Sequence, residues 1–239
     1  MASSLEQMSE RFASAIQDTL DGVLPGGHSV ISRRLPEVPD RCVVQPAGTS
    51  TEARRVPLDV DRVHLADVSL RFFLTLDRSS AYLKTVRSEF ALHSVLDRAP
   101  LLRLDYDAAM RSAPVSHWQV HAERGAISQL LARAHARDPR RVPSPHALSS
   151  LHLPVGGERF RPCLEDLLQF VVEECGVDHN DGWRAHVEAG RRLWRLRQLG
   201  SAVRDVPGEA ARVLGDLGWT VQPPPEVGPG AERDRFVVW

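Results

Sequence analysis

Residues 114–125 read PVSHWQVHAERG, and His117, Gln119 and His121 recur at every second position with Trp118 and Val120 between them. In an extended chain this spacing puts the three polar side chains on one face. Just upstream, RLDYD offers Arg103 and Asp105 in the same alternation. Three chemistries fit these residue types. In the first, His117 and His121 act as general acid and base, since imidazoles titrate near neutral pH. Arg103 then stabilises charge on a phosphate, and Asp105 orients His117 and raises its pKa; this set suffices for metal-free RNA cleavage. In the second, the histidines hold a divalent metal with Asp105 or His152. A strand's rise separates residues two apart by about 7 Å and residues four apart by about 13 Å. That distance argues against both histidines on one ion, and makes His117 with Asp105 or His93 the better couple. In the third, the residues are the solvated side of a half-buried strand.

Two other stretches carry candidate binding residues. SSLHLPVGGERFRPCLEDLLQF places His152 before a Gly-Gly turn and Arg159 and Arg161 before a helix, with Pro162 at its first position. A helix N-terminus beside arginines can receive phosphate or carboxylate, and the same pattern also makes a tight strand-to-helix connection. RAHVEAGRRLWRLRQLGSAVR has a basic side of Arg191, Arg192, Arg195 and Arg197, and an apolar side that includes Leu193, Trp194, Leu196 and Leu199. Such a helix suits RNA or an acidic partner, or is a surface helix whose arginine stems cover apolar area. The G-x-S-x-G, GxGxxG and P-loop patterns are absent from the sequence. Cys42, Cys163 and Cys175 are odd in number and lack C-x-x-C pairing. They are expected to be reduced and mostly buried. No cofactor and no metal-ligand set is assigned.

Alternation positions these groups. DVSLRFFLTLD puts Val68, Leu70, Phe72, Leu74 and Leu76 on one side and Ser69, Arg71, Phe73 and Thr75 on the other. YLKTVRSEFALHSV continues with Tyr82, Val86, Phe90 and Leu92 in one phase and Arg87, Glu89 and His93 in the other. With LLRLDYD and VSHWQVHA, these form a four-strand antiparallel meander. The even register sets Leu104 opposite Trp118, Leu102 opposite Val120, Asp105 opposite His117 and Arg103 opposite Gln119. Similar reasoning puts Leu76 beside Tyr82, Phe72 beside Val86 and Arg71 near Arg87. The polar side is then an open face displaying Arg71, Arg87, Glu89, His93, Arg103, Asp105, His117, Gln119 and His121.

Around the meander, residues 3–21 form an amphipathic helix, and HSVISRRL and RCVVQ form short strands. Residues 46–58 read as loop. Helices are expected at ERGAISQLLARA, at RPCLEDLLQFVVEECG ending on Gly176, and from Trp183 to Arg204, with Pro207 interrupting before a further helix. ALSSLHLPV makes a fifth strand of the sheet. The expected class is α+β: a meander with helices on one face, an N-terminal helix (1–23), a core domain (24–177), a C-terminal helical extension (178–218) and a Pro-rich tail (219–239). Phe236–Trp239 of that tail is a docking segment, in cis or in trans.

With 239 residues, 42% hydrophobic and 26% charged, the chain has material for a substantial core. A net charge of −1 gives no bulk attraction to nucleic acid or membrane. Its basic residues are almost all Arg, with Lys84 the only Lys, a bias of GC-rich genomes that discounts arginine richness as a signal. No apolar run spans a membrane and no secretory signal is read, so the expected location is the cytoplasm.

The order RLDYD, HWQVH, HLPVGGERFRPCLEDLLQF resembles the TumE-type toxins of bacterial toxin–antitoxin systems over about residues 101–175. The resemblance implies a toxin or RNA-directed role, with Arg103, Asp105, His117, His121 and His152 at matched positions. The chain departs from the pattern by its length, by the helix between the His segments and by its C-terminal helical part. The leading expectation is a toxin-like or defence-associated protein acting on RNA through the His/Arg/Asp face, with a cognate protein partner or a homo-oligomer left open. The alternatives are a non-enzymatic interaction or assembly protein using its terminal helices and tail, and a metal-dependent hydrolase.

Overall fold

The computed structural model describes residues 5–222 apart from 112, 123–124, 141–143, 145–146 and 148–151. The expectation for Phe236–Trp239 and residues 148–151 of the expected fifth strand lie outside the described residues; the strand's described part carries the two-residue pairing of Leu153–Pro154 in the sheet.

Helix α1 (Leu5–Val23) presents Leu5, Ile16, Leu20 and Val23 at helical spacing to the interior. Its C-terminal carbonyls are met from far along the chain: the Asn180 side-chain amide donates to Asp21 O and Leu24 O, each at 2.8 Å, and its backbone N–H to Val23 O at 2.9 Å. A tight hairpin of β1 (Val30–Leu35) and β2 (Val38–Pro46) follows. The expected loop at 46–58 is corrected in its second half. A 3-10 turn at Glu52–Arg54 leads into β3 (Arg55–Val60), where Val56 and Leu58 turn inward in alternation. Pro57 is tolerated because β3 pairs only with β4 among the described residues, so its missing N–H breaks no second ladder.

The central strand β4 (Val63–Leu76) runs 14 residues. It is followed by β5 (Leu83–Ser94), β6 (Pro100–Asp107), β7 (Ser116–Val120) and the short β8 (Leu153–Pro154). The order across the antiparallel sheet is β1-β2-β4-β5-β6-β7-β8. On its β2/β3 edge, β4 is shared: β2 pairs with Phe72–Leu74 and β3 with Val63–Ser69, so Leu70 and Arg71 stand opposite no strand there.

The β6–β7 register is the expected one, with Leu104 opposite Trp118, Leu102 opposite Val120, Asp105 opposite His117 and Arg103 opposite Gln119. The β4–β5 register is not. Phe72 faces Ser88, Arg71 faces Glu89 and Leu76 faces Leu83, with a bulge between Phe73 and Leu74 absorbing one residue of β5. Alternation leaves an even shift of two residues undetermined, and the bulge that closes this hairpin has no sequence signature.

Helices cover one face. Helix α2 (Gly125–Arg137) follows β7. Helix α3 (Leu164–Cys175) begins at Leu164 with Cys163 as N-cap, so Pro162 lies outside it rather than at its first position. It ends on Gly176 in the left-handed conformation, φ 68°. Helix α4 (Trp183–Asp205) packs on α1 and α3, and α5 (Pro207–Asp216) follows it. One apolar cluster joins Ile16 and Leu20 of α1, Val68 to Leu74 of β4, Leu167, Leu168 and Val171 of α3, and Trp183 and Val187 of α4. Burial of each such Leu or Val contributes roughly 1.5–3 kcal/mol. Cys42 and Cys163 are free and buried as expected, whereas Cys175, in the last turn of α3, is exposed.

Candidate functional site

The polar side chains of the meander lie in rows across the strands. One row runs Arg71, Glu89, Asp105, His117 over β4, β5, β6 and β7. The next runs Arg55, Ser69, Ala91, Arg103, Gln119 over β3 to β7. A third brings Asp67 opposite His93, with Pro100 beyond. These rows follow from period-two alternation in neighbouring strands.

The expected open face is corrected: much of it is buried. Glu89 is 9% exposed, His93 8% and His117 3%. The chain between β2 and β3 brings Thr51 and Arg54 to the same pocket as Ser69, Glu89 and His93, while His117 is enclosed elsewhere, against Pro114 and His152. Glu89 sits at the centre of an ion-pair network. It holds Arg71 at 2.5 Å and also pairs with Arg87, and both guanidiniums lie over the Phe73 ring. Arg103 pairs with Asp105 at 2.8 Å. Burial pushes the Asp105 carboxyl above its ordinary range against the pull of Arg103, and the Glu89 charge opposite adds to the rise.

The expected catalytic pair separates. His117 donates through Nδ1–H to the Pro114 carbonyl at 2.7 Å, and its ring stands edge-on to His152 with centroids 4.5 Å apart. His152 in turn accepts from the Gln119 amide at 2.9 Å. His117 is therefore a fixed, buried imidazole. His121 lies with a different group: it is within electrostatic reach of His93, Arg103 and Asp105. Burial, reinforced by Arg55 and Arg103, holds His93 below the usual imidazole range. Burial and then Arg103 do the same to His121. His93 Nε2 bonds the Ser69 hydroxyl at 3.1 Å, while the His93 Nδ1 and His121 Nε2 atoms are buried without a hydrogen-bond partner among the described residues.

Beside these imidazoles, on the polar face, is a concave pocket of about 310 Å³. Arg54, Arg55, Arg71 and Arg103 enter its wall against the single carboxylate Glu89, and Ala91 leaves room at its floor. Arg71 and Arg103 are ion-paired, whereas among the described residues Arg54 bonds the Gly48 carbonyl at 3.0 Å and Arg55 Nε is buried with no partner. The wall is thus cationic in excess, and its guanidinium forks match the oxygens of a phosphate or carboxylate. Sequence reasoning missed Gln45, Arg54, Arg55 and Ser69. The alternation of Val56 and Leu58 beside the arginines of EARRV was the available signal.

The residues expected near the α3 N-terminus are engaged inside the protein. Arg159 pairs with Glu158 at 3.1 Å and Asp205 at 2.6 Å. Arg161 is stacked between Tyr106 and Trp194, 3.8 and 4.8 Å from the ring centroids, and bonds the Glu158 carbonyl and Gln198. The helix start is closed on itself by a capping box: the Asp166 carboxylate accepts from Cys163 N–H at 2.9 Å, and the Cys163 sulfur accepts from the Asp166 N–H. Burial, then Glu165 and Asp166, push the Cys163 thiol far up, which disfavours its thiolate. Among the described residues no group of three or more His, Cys, Asp or Glu side chains could hold a metal ion, and no helix is long and apolar enough to cross a membrane.

No protein-family model, curated protein or solved structure matches this chain.

Proposed function

We propose that the protein binds the phosphodiester backbone of RNA in the basic pocket and cleaves it with His93 and His121, Arg103 lying beside both. The observation that carries this reading is the pocket itself: the buried His93 in its wall and the half-buried His121 nearby, each with a buried ring nitrogen unpartnered among the described residues, beside guanidiniums that exceed the carboxylates around them. One neutral imidazole takes the proton of the ribose 2′-hydroxyl, whose oxygen attacks phosphorus. The other, protonated, gives its proton to the departing 5′-oxygen, leaving a 2′,3′-cyclic phosphate and a free 5′-hydroxyl. Arg55 and Arg103 stabilise the charge on the phosphoryl oxygens. His117 moves from catalyst to scaffold in this scheme, because its Nδ1–H is spent on Pro114 and the ring is enclosed. A toxin-like or defence role, acting in the cytoplasm, accords with such an activity.

The test is a labelled oligoribonucleotide and its 2′-deoxy counterpart incubated with purified protein. Cleavage of the RNA alone is expected, ending in cyclic phosphate and falling at least 100-fold in His93→Ala and in His121→Ala. Absence of both cleavage and low-salt binding by wild-type protein overturns the proposal.

A second reading, self-assembly, is favoured by α4. Its side turned away from the core carries Leu193, Leu196, Leu199 and Val203, each 44–60% exposed.

A further inference from the structure

The basic pocket does not end in polar residues. The β4–β5 ladder continues past Asp67 and His93 to Leu65 and Val95, joined by Val95 N–H to Leu65 O at 3.2 Å. By register, both share the face of Asp67 and His93. On β6, one extra residue stands between Leu102 and Pro100, and that residue, Leu101, follows directly on the pocket-lining Pro100. Leu96 projects from the turn between β5 and β6. Exposure is 46% for Leu65, 45% for Val95, 42% for Leu101 and 91% for Leu96. Aliphatic side chains so exposed, clustered at one end of the ladder next to a cationic pocket, mark a surface suited to an apolar group of the same ligand.

We infer that this aliphatic shelf seats the nucleobase adjoining the phosphate held by Arg55 and Arg103, so that the site takes single-stranded rather than duplex RNA. The inference rests on the RNA reading above and specifies its substrate. Two facts select the occupant. The shelf borders the pocket at His93 and Pro100, and it lies four residues along the strands from the Arg55–Arg103 row, about 13 Å between backbones, a span that an arginine side chain and a nucleotide's phosphate-to-base length cover together. A base presents its flat face only when unpaired, because in a duplex the faces are stacked on neighbours. Aliphatic side chains offer no donors or acceptors to read base edges, so recognition is tolerant of sequence.

The experiment measures fluorescence anisotropy at low salt with a 2′-O-methyl oligonucleotide, which cannot be cleaved. It is offered as a single strand, annealed to its complement, and as an abasic strand of equal length. The proteins are wild type, the double variant Leu96→Ser with Leu101→Ser, and Arg55→Ala; a thermal melt confirms that each is folded. Wild type is expected to bind the single strand about tenfold more tightly than the duplex or the abasic strand. The double variant loses that tenfold on the base-bearing strand only, whereas Arg55→Ala weakens every strand. Equal affinity for single strand and duplex, or no effect of the double variant, overturns the shelf inference while the pocket stands. Failure of every strand to bind wild type, or indifference to Arg55→Ala, overturns the RNA reading itself.

Discussion

His93 illustrates how a residue's type can be legible while its setting is not. Its place in the polar phase of β5 followed from alternation with Phe90 and Leu92, and the structure keeps it there. Its burial did not follow, because the groups around it, Ser69 and Arg55 among them, come from segments distant in sequence. The same applies to His117, whose pairing opposite Asp105 was read correctly but whose carbonyl partner Pro114 was not. A pH dependence follows. The folded-state pKa values of His93 and His121 lie below the ordinary 6.5. Each therefore contributes stability that is present above pH 6.5 and is lost as the pH falls through the depressed folded value. Thermal midpoints measured from pH 7.5 to 5 are expected to fall for wild type, and to fall less for His93→Gln, which keeps a hydrogen-bonding side chain without the titration.

At the level of elements, β6 and β7 were fully legible. Their connection is short, and any odd slip sets apolar against polar residues all along the pair. The β4–β5 hairpin was legible in phase but not in register, since Val86 enters a bulge and Tyr82 falls outside the strand. Strand β3 was hidden by Pro57 and by the arginines before it, which read as loop until β4 is present to pair with them. The apolar phase nonetheless sets the energetics. Phe72 is 2% exposed and meets Phe12 and Phe90 edge-on, with centroids 5.0 and 5.1 Å away. Phe72→Ala is expected to cost about 3–5 kcal/mol, because it removes both aromatic contacts and leaves a cavity between α1 and the sheet. Urea unfolding should show the midpoint falling with the slope unchanged.

On the scale of the whole molecule, a net charge of −1 conceals an uneven distribution: guanidiniums gather in one pocket and exposed leucines gather on α4. The class, an antiparallel sheet with helices on one face, was legible because every helix and the meander carried its own periodicity. What covers what was not legible, because it depends on contacts such as Asn180 with α1 and Arg161 with Trp194. For the self-assembly reading, sedimentation velocity at micromolar concentration should show wild type as a dimer and the double variant Leu196→Glu with Leu199→Glu as a monomer of unchanged melting temperature. A monomeric wild type sinks that reading.

The divided edge of β4 has a kinetic consequence. Strands β3 to β7 each pair with the next in sequence, so that half of the sheet can zip up through short-range closures. Strand β2 must instead bring Cys42 back to Leu74 across the whole intervening β3 excursion. Strand β2 carries Gln45 to the pocket, so the lining already supplied by β3 to β6 is closed on that side at the last docking event of refolding. Amides of β2 should gain protection in pulse-labelled hydrogen exchange only after those of β4 and β5 have done so.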